Sequence, residues 1–202
     1  MSQIALPLSQ PGKSDRIVVG SANMAIIEAL RDPSGWPFRT AILRGPARSG
    51  KSLLGQWFSA QASCETLDDA DTMDETQLFH RWNAAQESGT ALLLIASDEK
   101  WQVELPDLRS RLGAALDLRI GPLDDAMVGE LIEYHAERRG LAMGEGAASY
   151  LVPRCIRDFA AVERLVEEID RLSLERKHPP TMSIWRDALE ELFGGDQQQP
   201  LI

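Results

Sequence analysis

The sequence predicts an α/β protein: a small parallel sheet of about four strands, followed by an all-helical C-terminal unit. Three observations carry this reading. Gly45-Pro46-Ala47-Arg48-Ser49-Gly50-Lys51-Ser52 fits the phosphate-loop pattern G-x-x-x-x-G-K-[ST], and it lies between a short apolar strand and an apolar helix. Strand-like and helix-like segments alternate over about the first 120 residues, which implies parallel strands with helices on both faces. After Gly121-Pro122 only helical patterns follow.

The elements follow in order. Residues 1–16, with Pro7, Pro11 and Gly12, read as an extended tail. Ile17-Val18-Val19-Gly20-Ser21-Ala22-Asn23 enters a helix running to about Arg31, and Asp32-Pro33-Ser34-Gly35-Trp36-Pro37 is a loop. Thr40-Ala41-Ile42-Leu43 is the strand before the phosphate loop, and the helix after it extends to about Ser63. Cys64–Asp69 is a second strand with an acidic end, although a loop over 64–68 fits the residues too. Asp74 to about Glu87 is helical, capped by Asp74 or Thr72. Ala91-Leu92-Leu93-Leu94-Ile95-Ala96 is continuously apolar, so it belongs at the centre of the sheet, covered on both faces. Asp107–Leu112 is a short helix, Leu116–Ile120 a further strand, and helices follow at about 124–139, 145–152, 156–174 and 183–193.

One interval limits the sheet. Only 17 positions separate Lys51 from Asp68, room for a single helix and no extra strand. The Asp68 strand is therefore expected at an edge, where polar Glu65 and Thr66 are tolerated.

Bulk properties narrow the function. The chain has 202 residues, 44% hydrophobic and 26% charged, enough for one good-sized domain or a core with a small appendage. No apolar run approaches the ~20 residues of a membrane span, and the N-terminus lacks a signal-peptide pattern. Cys64 and Cys155 give neither a disulfide framework nor a metal-site spacing, so a reducing cytoplasm is the simplest compartment. The net charge of −10 argues against a broad DNA-binding surface, yet allows a protein partner that itself sits on DNA.

The phosphate loop implies a nucleotide. Its glycines let the backbone approach phosphates, successive N–H groups point at them, Lys51 reaches the terminal phosphates and Ser52 ligates Mg²⁺. Asp68-Asp69, at a strand end, suits the Mg²⁺ side of such a site, but Asp69 equally begins an Asp-rich turn through Asp71 and Asp74. Ser97-Asp98 follows the central strand, at the sheet end where ligands bind; a plain turn fits the same residues. Arg109 and Arg111 end the short helix, and either phosphate recognition or pairing with Asp107 or Asp117 explains them. Arg157 is placed at the start of the 156–174 helix, where a cation opposes the helix dipole and hints at an anionic partner; Asp158 offsets it locally. His80, His135 and His178 are scattered, and the five tryptophans read as packing residues.

Taken in order, these segments resemble the AAA+ module of the bacterial replication initiator DnaA, in particular its short relatives of the Hda type. Ile17–Asn23 is similar to the segment lining the adenine side, and Gly45–Ser52 matches Walker A. Asp68-Asp69 resembles the end of Walker B, Ser97-Asp98 the sensor 1 segment, Ser110-Arg111-Leu112 the arginine-finger box, and Ile156-Arg157-Asp158 the sensor 2 segment. The resemblance spans about residues 14–193 and implies a tail over 1–13, a P-loop AAA+ core over 14–121 and a helical lid over 122–202.

It further implies ADP or ATP held by Val19, Gly45, Pro46, Ala47, Arg48, Ser49, Gly50, Lys51, Ser52, Leu53 and Arg157. Mg²⁺ would be held by Ser52 and Asp68, and Asp69, Asp98 and a trans-acting Arg111 would carry catalysis. Gln3-Ile4-Ala5-Leu6-Pro7-Leu8 resembles the Q-x-x-L-P-L peptide with which such proteins bind the sliding clamp, through Gln3, Leu6 and Leu8. The partners implied are DnaA and the clamp, with no direct DNA or membrane contact; a homodimer is compatible. The implied activity is promotion of hydrolysis of DnaA-bound ATP, which holds replication initiation in check. Two departures stand out: the missing strand between Walker A and Walker B, and a less apolar approach to Asp68-Asp69. Both count against robust intrinsic hydrolysis. A clamp- or DnaA-binding adaptor with a structural nucleotide, and a self-sufficient ATPase, are the alternative readings.

Overall fold

A computed structural model describes residues 6–7, 16–97 and 100–194, with backbone alone at 6 and 7. The described residues form two compact units: one of residues 21–121, and one that joins the N-terminal residues up to Gly20 to those from Pro122 onward.

In the second of these, β1 (Leu6–Pro7) pairs antiparallel with β2 (Arg16–Ile17), Leu6 opposite Ile17. The first unit begins with α1 (Met24–Arg31), followed by two short 3₁₀ turns at 33–35 and 37–39. Then come β3 (Thr40–Arg44), α2 (Lys51–Ser59), β4 (Cys64–Leu67), α3 (Glu75–Ser88), β5 (Ala91–Ala96), α4 (Pro106–Leu112) and β6 (Leu116–Arg119). The four strands β3–β6 form one parallel sheet in the order β4-β5-β3-β6.

β5 is buried at every residue, as its unbroken apolar run requires of a central strand. Leu92, Leu94 and Ala96 share a core with Ile42, Leu78, Trp82, Ala85, Leu108 and Leu112 on the α3–α4 side. On the other side Gly55 of α2 lies against Ile95 and Thr66 so closely that an added Cβ would stand 2.7 Å from each. Trp36 stacks on buried Phe58 there, with ring centroids 5.2 Å apart.

The edge position expected for the Asp68 strand is found. α2 ends at Ser59, four residues before the expected Ser63, and the chain turns through Ser63 at φ 59° directly into β4. The polar residues of β4 each meet a covering helix. Thr66 Oγ1 donates to the Gly55 carbonyl, 2.9 Å away, and Glu65 pairs with Arg81 of α3. The polar side chains of this edge strand thereby find partners within their own unit.

The helical unit contains α5 (Asp125–Arg139), α6 (Ala147–Leu151), α7 (Phe159–Arg176) and α8 (Met182–Phe193). Side-chain caps fix two of the starts: Asp124 accepts from Met127 N at 2.8 Å, and Asp158 from Ala161 N at 2.9 Å. Val128, Ile132, Val162, Leu165, Val166, Ile169, Ile184 and Ala188 make its core. Arg171 ties α7 to α8 through Glu191 while also bonding Glu168 and Glu175.

Candidate functional site: a phosphate loop and its flanking residues

β3 delivers the chain into the phosphate loop beside β6. Ile120 N donates to Arg44 O at 2.9 Å, and Gly45 sits against Ile120, whose Cβ would be 2.8 Å from any Cβ added at Gly45. A side chain at 45 would displace the loop from the sheet. The loop then alternates hand: Arg48 has φ 63° and Gly50, the N-cap of α2, has φ 85°. Such alternation turns successive N–H groups to one side and makes an anion-binding concavity. Ser49 is buried and its Oγ donates to Pro46 O at 2.7 Å, which fixes the loop from within.

α2 starts at Lys51, so Ser52 and Leu53 lie in its first turn, where N–H groups have no acceptor within the helix. No acidic residue stands in that turn to compete for an anion. The Lys51 ammonium donates to the carbonyls of Gly45 and Pro46, at 2.7 and 2.9 Å. Ser52 is exposed. Backbone concavity, a positive charge at its mouth and a hydroxyl on the adjacent turn together fit the phosphates of a nucleotide, and Ser52 fits a Mg²⁺ ligand.

The acidic side of the site lies at the end of β4. Asp68 and Asp69 are both exposed, and Asp68 accepts its neighbour's N–H at 3.0 Å. Asp69 adopts φ 49° and opens a 3₁₀ turn over Ala70–Thr72, so the Asp-rich turn and the strand end are both present. Ser97, just past β5, binds this turn twice. Its Oγ donates to Asp69 Oδ1 at 2.8 Å and its N–H to Asp71 Oδ2 at 3.0 Å. The Walker B-like and sensor 1-like segments are thus joined through Ser97. In the sequence Asp71 reads only as a turn residue, and the density of aspartates from 68 to 74 is its signal. Asp98 lies outside the described residues. Among the described residues no group of three or more His, Cys, Asp or Glu side chains is arranged to hold a metal.

Arg111, at the end of α4, is half-buried. Its guanidinium lies 4.5 Å from the ring centroids of both Phe79 and Trp82 and donates to Asn83 Oδ1, all on α3. Neither Asp107 nor Asp117 is among these contacts; Asp117 pairs with Arg44 and Arg119. Arg109 bonds the backbone carbonyls of Val103 and Glu104. Sequence reasoning missed Phe79, Trp82 and Asn83 as neighbours of Arg111, because 28 residues separate Asn83 from it.

In the helical unit, Val19 is half-buried, and the next residue, Gly20, packs on Met127 of α5, with the Met127 sulfur 2.9 Å from any Cβ added there. Arg157 pairs with Asp125 at the start of the same helix. This corrects the expected helix start. α7 begins at Phe159 behind the Asp158 cap, so Arg157 lies outside the helix, and its charge is met by Asp125 rather than opposed to the α7 dipole. Gln3 and Leu8 lie outside the described residues; at Leu6 only the backbone is described.

Residues 125–189 match a family model described as "Hda, lid domain". The chain is 30% identical over 124 residues to an uncharacterized protein of Haemophilus influenzae, a match covering 57% of this chain and 54%, about half, of that relative's length. It is similar to domain III of the replication initiation protein DnaA of Thermotoga maritima, with TM-score 0.69 and 13% identity over 90% of this chain and 95% of that one. It is also similar to AMPPCP-bound DnaA from Aquifex aeolicus, with TM-score 0.57 and 18% identity over 79% and 65% of the two chains. The RuvB Holliday junction branch migration motor of Thermotoga maritima gives TM-score 0.57 and 15% identity over 75% and 61%. At these identities the likeness to solved structures is one of fold. Residues 125–189 thus match a lid of the Hda type, and the four-stranded P-loop core shares the fold of DnaA domain III.

Proposed function

We propose that this protein is a nucleotide-binding regulator that promotes hydrolysis of the ATP held by DnaA and so restrains replication initiation. ADP or ATP binds at Gly45–Ser52, with the Lys51 ammonium turning from the loop carbonyls to the phosphates. When bound, Mg²⁺ would be held by Ser52 and Asp68 and would neutralise phosphate charge. Arg111 acts in trans on the ATP of a neighbouring DnaA. The tail, through Gln3, Leu6 and Leu8, tethers the protein to the sliding clamp and raises its local concentration near clamp-bound DNA. The observation that supports this reading best is the combination of a complete phosphate loop with an Hda-type lid in one chain.

A second reading is favoured by one contact. Arg111 is engaged by Phe79, Trp82 and Asn83 of its own chain, which suits an adaptor that recruits DnaA without accelerating hydrolysis. The deciding experiment is the rate of DnaA-ATP conversion to DnaA-ADP on clamp-loaded DNA, with and without this protein. Clamp-dependent acceleration is expected; none, with clamp binding intact, would establish the adaptor.

A further inference from the structure

Two consecutive residues entering β3, Phe38 and Arg39, have φ angles of 48° and 47°. L-residues with side chains adopt this conformation only where the surroundings impose it. Here they do. The Phe38 carbonyl accepts from Gln86 Nε2 at 2.7 Å and from Thr40 Oγ1 at 2.9 Å, and the Arg39 guanidinium donates to Gly89 O at 2.5 Å. What the strained turn achieves is to hold a phenyl ring outward: Phe38 is 56% exposed. A glycine would make the same turn without strain, so the turn alone does not account for the ring.

The ring's position is shared with Arg111. Phe38 tilts over Trp82 with centroids 6.3 Å apart, and the Arg111 guanidinium approaches the same indole at 4.5 Å. Trp82 is fixed by its Nε1–H, which donates to buried Thr40 Oγ1 at 3.1 Å. An exposed aromatic ring and an arginine therefore both rest on one buried, hydrogen-bonded side chain. Aromatic residues, phenylalanine included, and arginine are enriched at protein interfaces.

We propose that Phe38 is the docking anchor for the ATP-loaded AAA+ protein that Arg111 serves. The partner supplies an apolar pocket for the ring, at a distance that leaves its nucleotide within reach of Arg111. This rests on the reading that Arg111 acts in trans.

The test is a titration of the full-length protein against DnaA-ATP on clamp-loaded DNA, reading maximal hydrolysis rate and half-maximal concentration separately. Phe38→Ala and Phe38→Gly should raise the half-maximal concentration roughly tenfold with the maximal rate nearly unchanged. Phe38→Gly relieves the positive φ while giving up the Trp82 contact and adding chain entropy, so its melting temperature should stay close to wild type, and a folding defect would not account for its weaker docking. Phe38→Tyr should behave as wild type, and Arg111→Ala should lose the maximal rate. If Arg111→Ala loses stimulation while the Phe38 variants titrate as wild type, the anchor is overturned and the trans-acting arginine stands. If wild type gives no stimulation, the trans-acting reading fails, and equal direct binding of wild type and Phe38→Ala to DnaA-ATP would overturn the anchor as well. Conversion of a dimer to a monomer by Phe38→Ala, seen by light scattering, would assign the ring to a second copy of this chain and overturn it too.

Discussion

The Lys51 ammonium stands 2.7 Å from the Gly45 carbonyl oxygen, so the lysine that would meet phosphate closes its own loop instead. Nucleotide binding on this geometry is an exchange: two carbonyl acceptors give way to phosphate oxygens carrying full charge. Charge-assisted bonds to phosphate are the stronger set. Lys51→Ala is therefore expected to weaken nucleotide affinity by roughly a hundredfold, while stability falls by only about 1 kcal/mol for two part-exposed bonds. Lys51→Arg should not rescue, because a planar fork does not replace a compact ammonium at this position. Calorimetric titration with ADP and a thermal melt check both halves.

Ser97 is the joint between the acidic turn after β4 and the end of β5. Removing its hydroxyl leaves Asp69 without that donor and should cost about 1 kcal/mol of stability. Asp69→Asn keeps an acceptor oxygen and should cost less. On the proposed reading, Asp69→Asn also leaves ADP affinity within about threefold, since the loop and Lys51 supply most of the binding. Steady ATP turnover by the isolated protein, abolished by Asp69→Asn, would instead establish a self-sufficient ATPase.

Local patterns made the core legible in the sequence. The phosphate loop declared itself by spacing, β5 by an unbroken apolar run, and the four-stranded sheet by the short interval from Lys51 to Asp68. Features that depend on distant contacts were not legible. The aromatic neighbours of Arg111 lie one helix and one strand earlier in the chain, and Phe79 and Trp82 read only as an apolar helix face. β1 and β2 have two residues each, too few to show a period. The start of α7 is legible in the sequence: Asp158 followed by Phe159-Ala160-Ala161 is a cap signal, which outweighs the charge of Arg157.

The Arg157–Asp125 pair gives a further test of the sensor assignment. Both side chains are well exposed, 47% and 67%, so their pairing adds less than about 1 kcal/mol to stability. Asp125→Asn should leave the melting temperature almost unchanged and nucleotide affinity equal or slightly tighter, because it removes a competitor for the guanidinium. If Arg157 serves as the sensor 2 resemblance implies, Arg157→Ala should weaken affinity by roughly tenfold, about 1.4 kcal/mol. Equal affinities for all three proteins would overturn the sensor reading of Arg157.

Gly55 decides how closely α2 lies on the edge of the sheet. Alanine is the better helix former by about 1 kcal/mol, so an exposed helical glycine would gain from the change. Here the new methyl would stand 2.7 Å from both Ile95 Cδ1 and Thr66 Cγ2, with Ile95 fully buried in the central strand. Overpacking of this kind costs roughly 1–3 kcal/mol, and the helix must lift away from β4. Gly55→Ala is expected to be net destabilising by up to about 2 kcal/mol. It should also weaken the Thr66–Gly55 bond, seen as faster amide exchange along β4.

Cys155 sets a pH limit on stability. It is buried, and burial pushes its thiol up from 9.0 to about 11, with Arg157 opposing the shift. Below pH 9 the thiol is protonated in folded and unfolded chains alike, and it adds nothing to the pH dependence. As pH rises past 9 the unfolded chain releases this proton while the folded one keeps it, so stability falls until about pH 11, where the folded thiol also ionises. The loss amounts to about 2–3 kcal/mol across that window. Chemical denaturation at pH 8 and pH 11 should show it, and Cys155→Ala should flatten that part of the profile while starting from a lower stability at pH 8. An unchanged slope in Cys155→Ala would mean that the thiol ionises in the folded chain as readily as in the unfolded one.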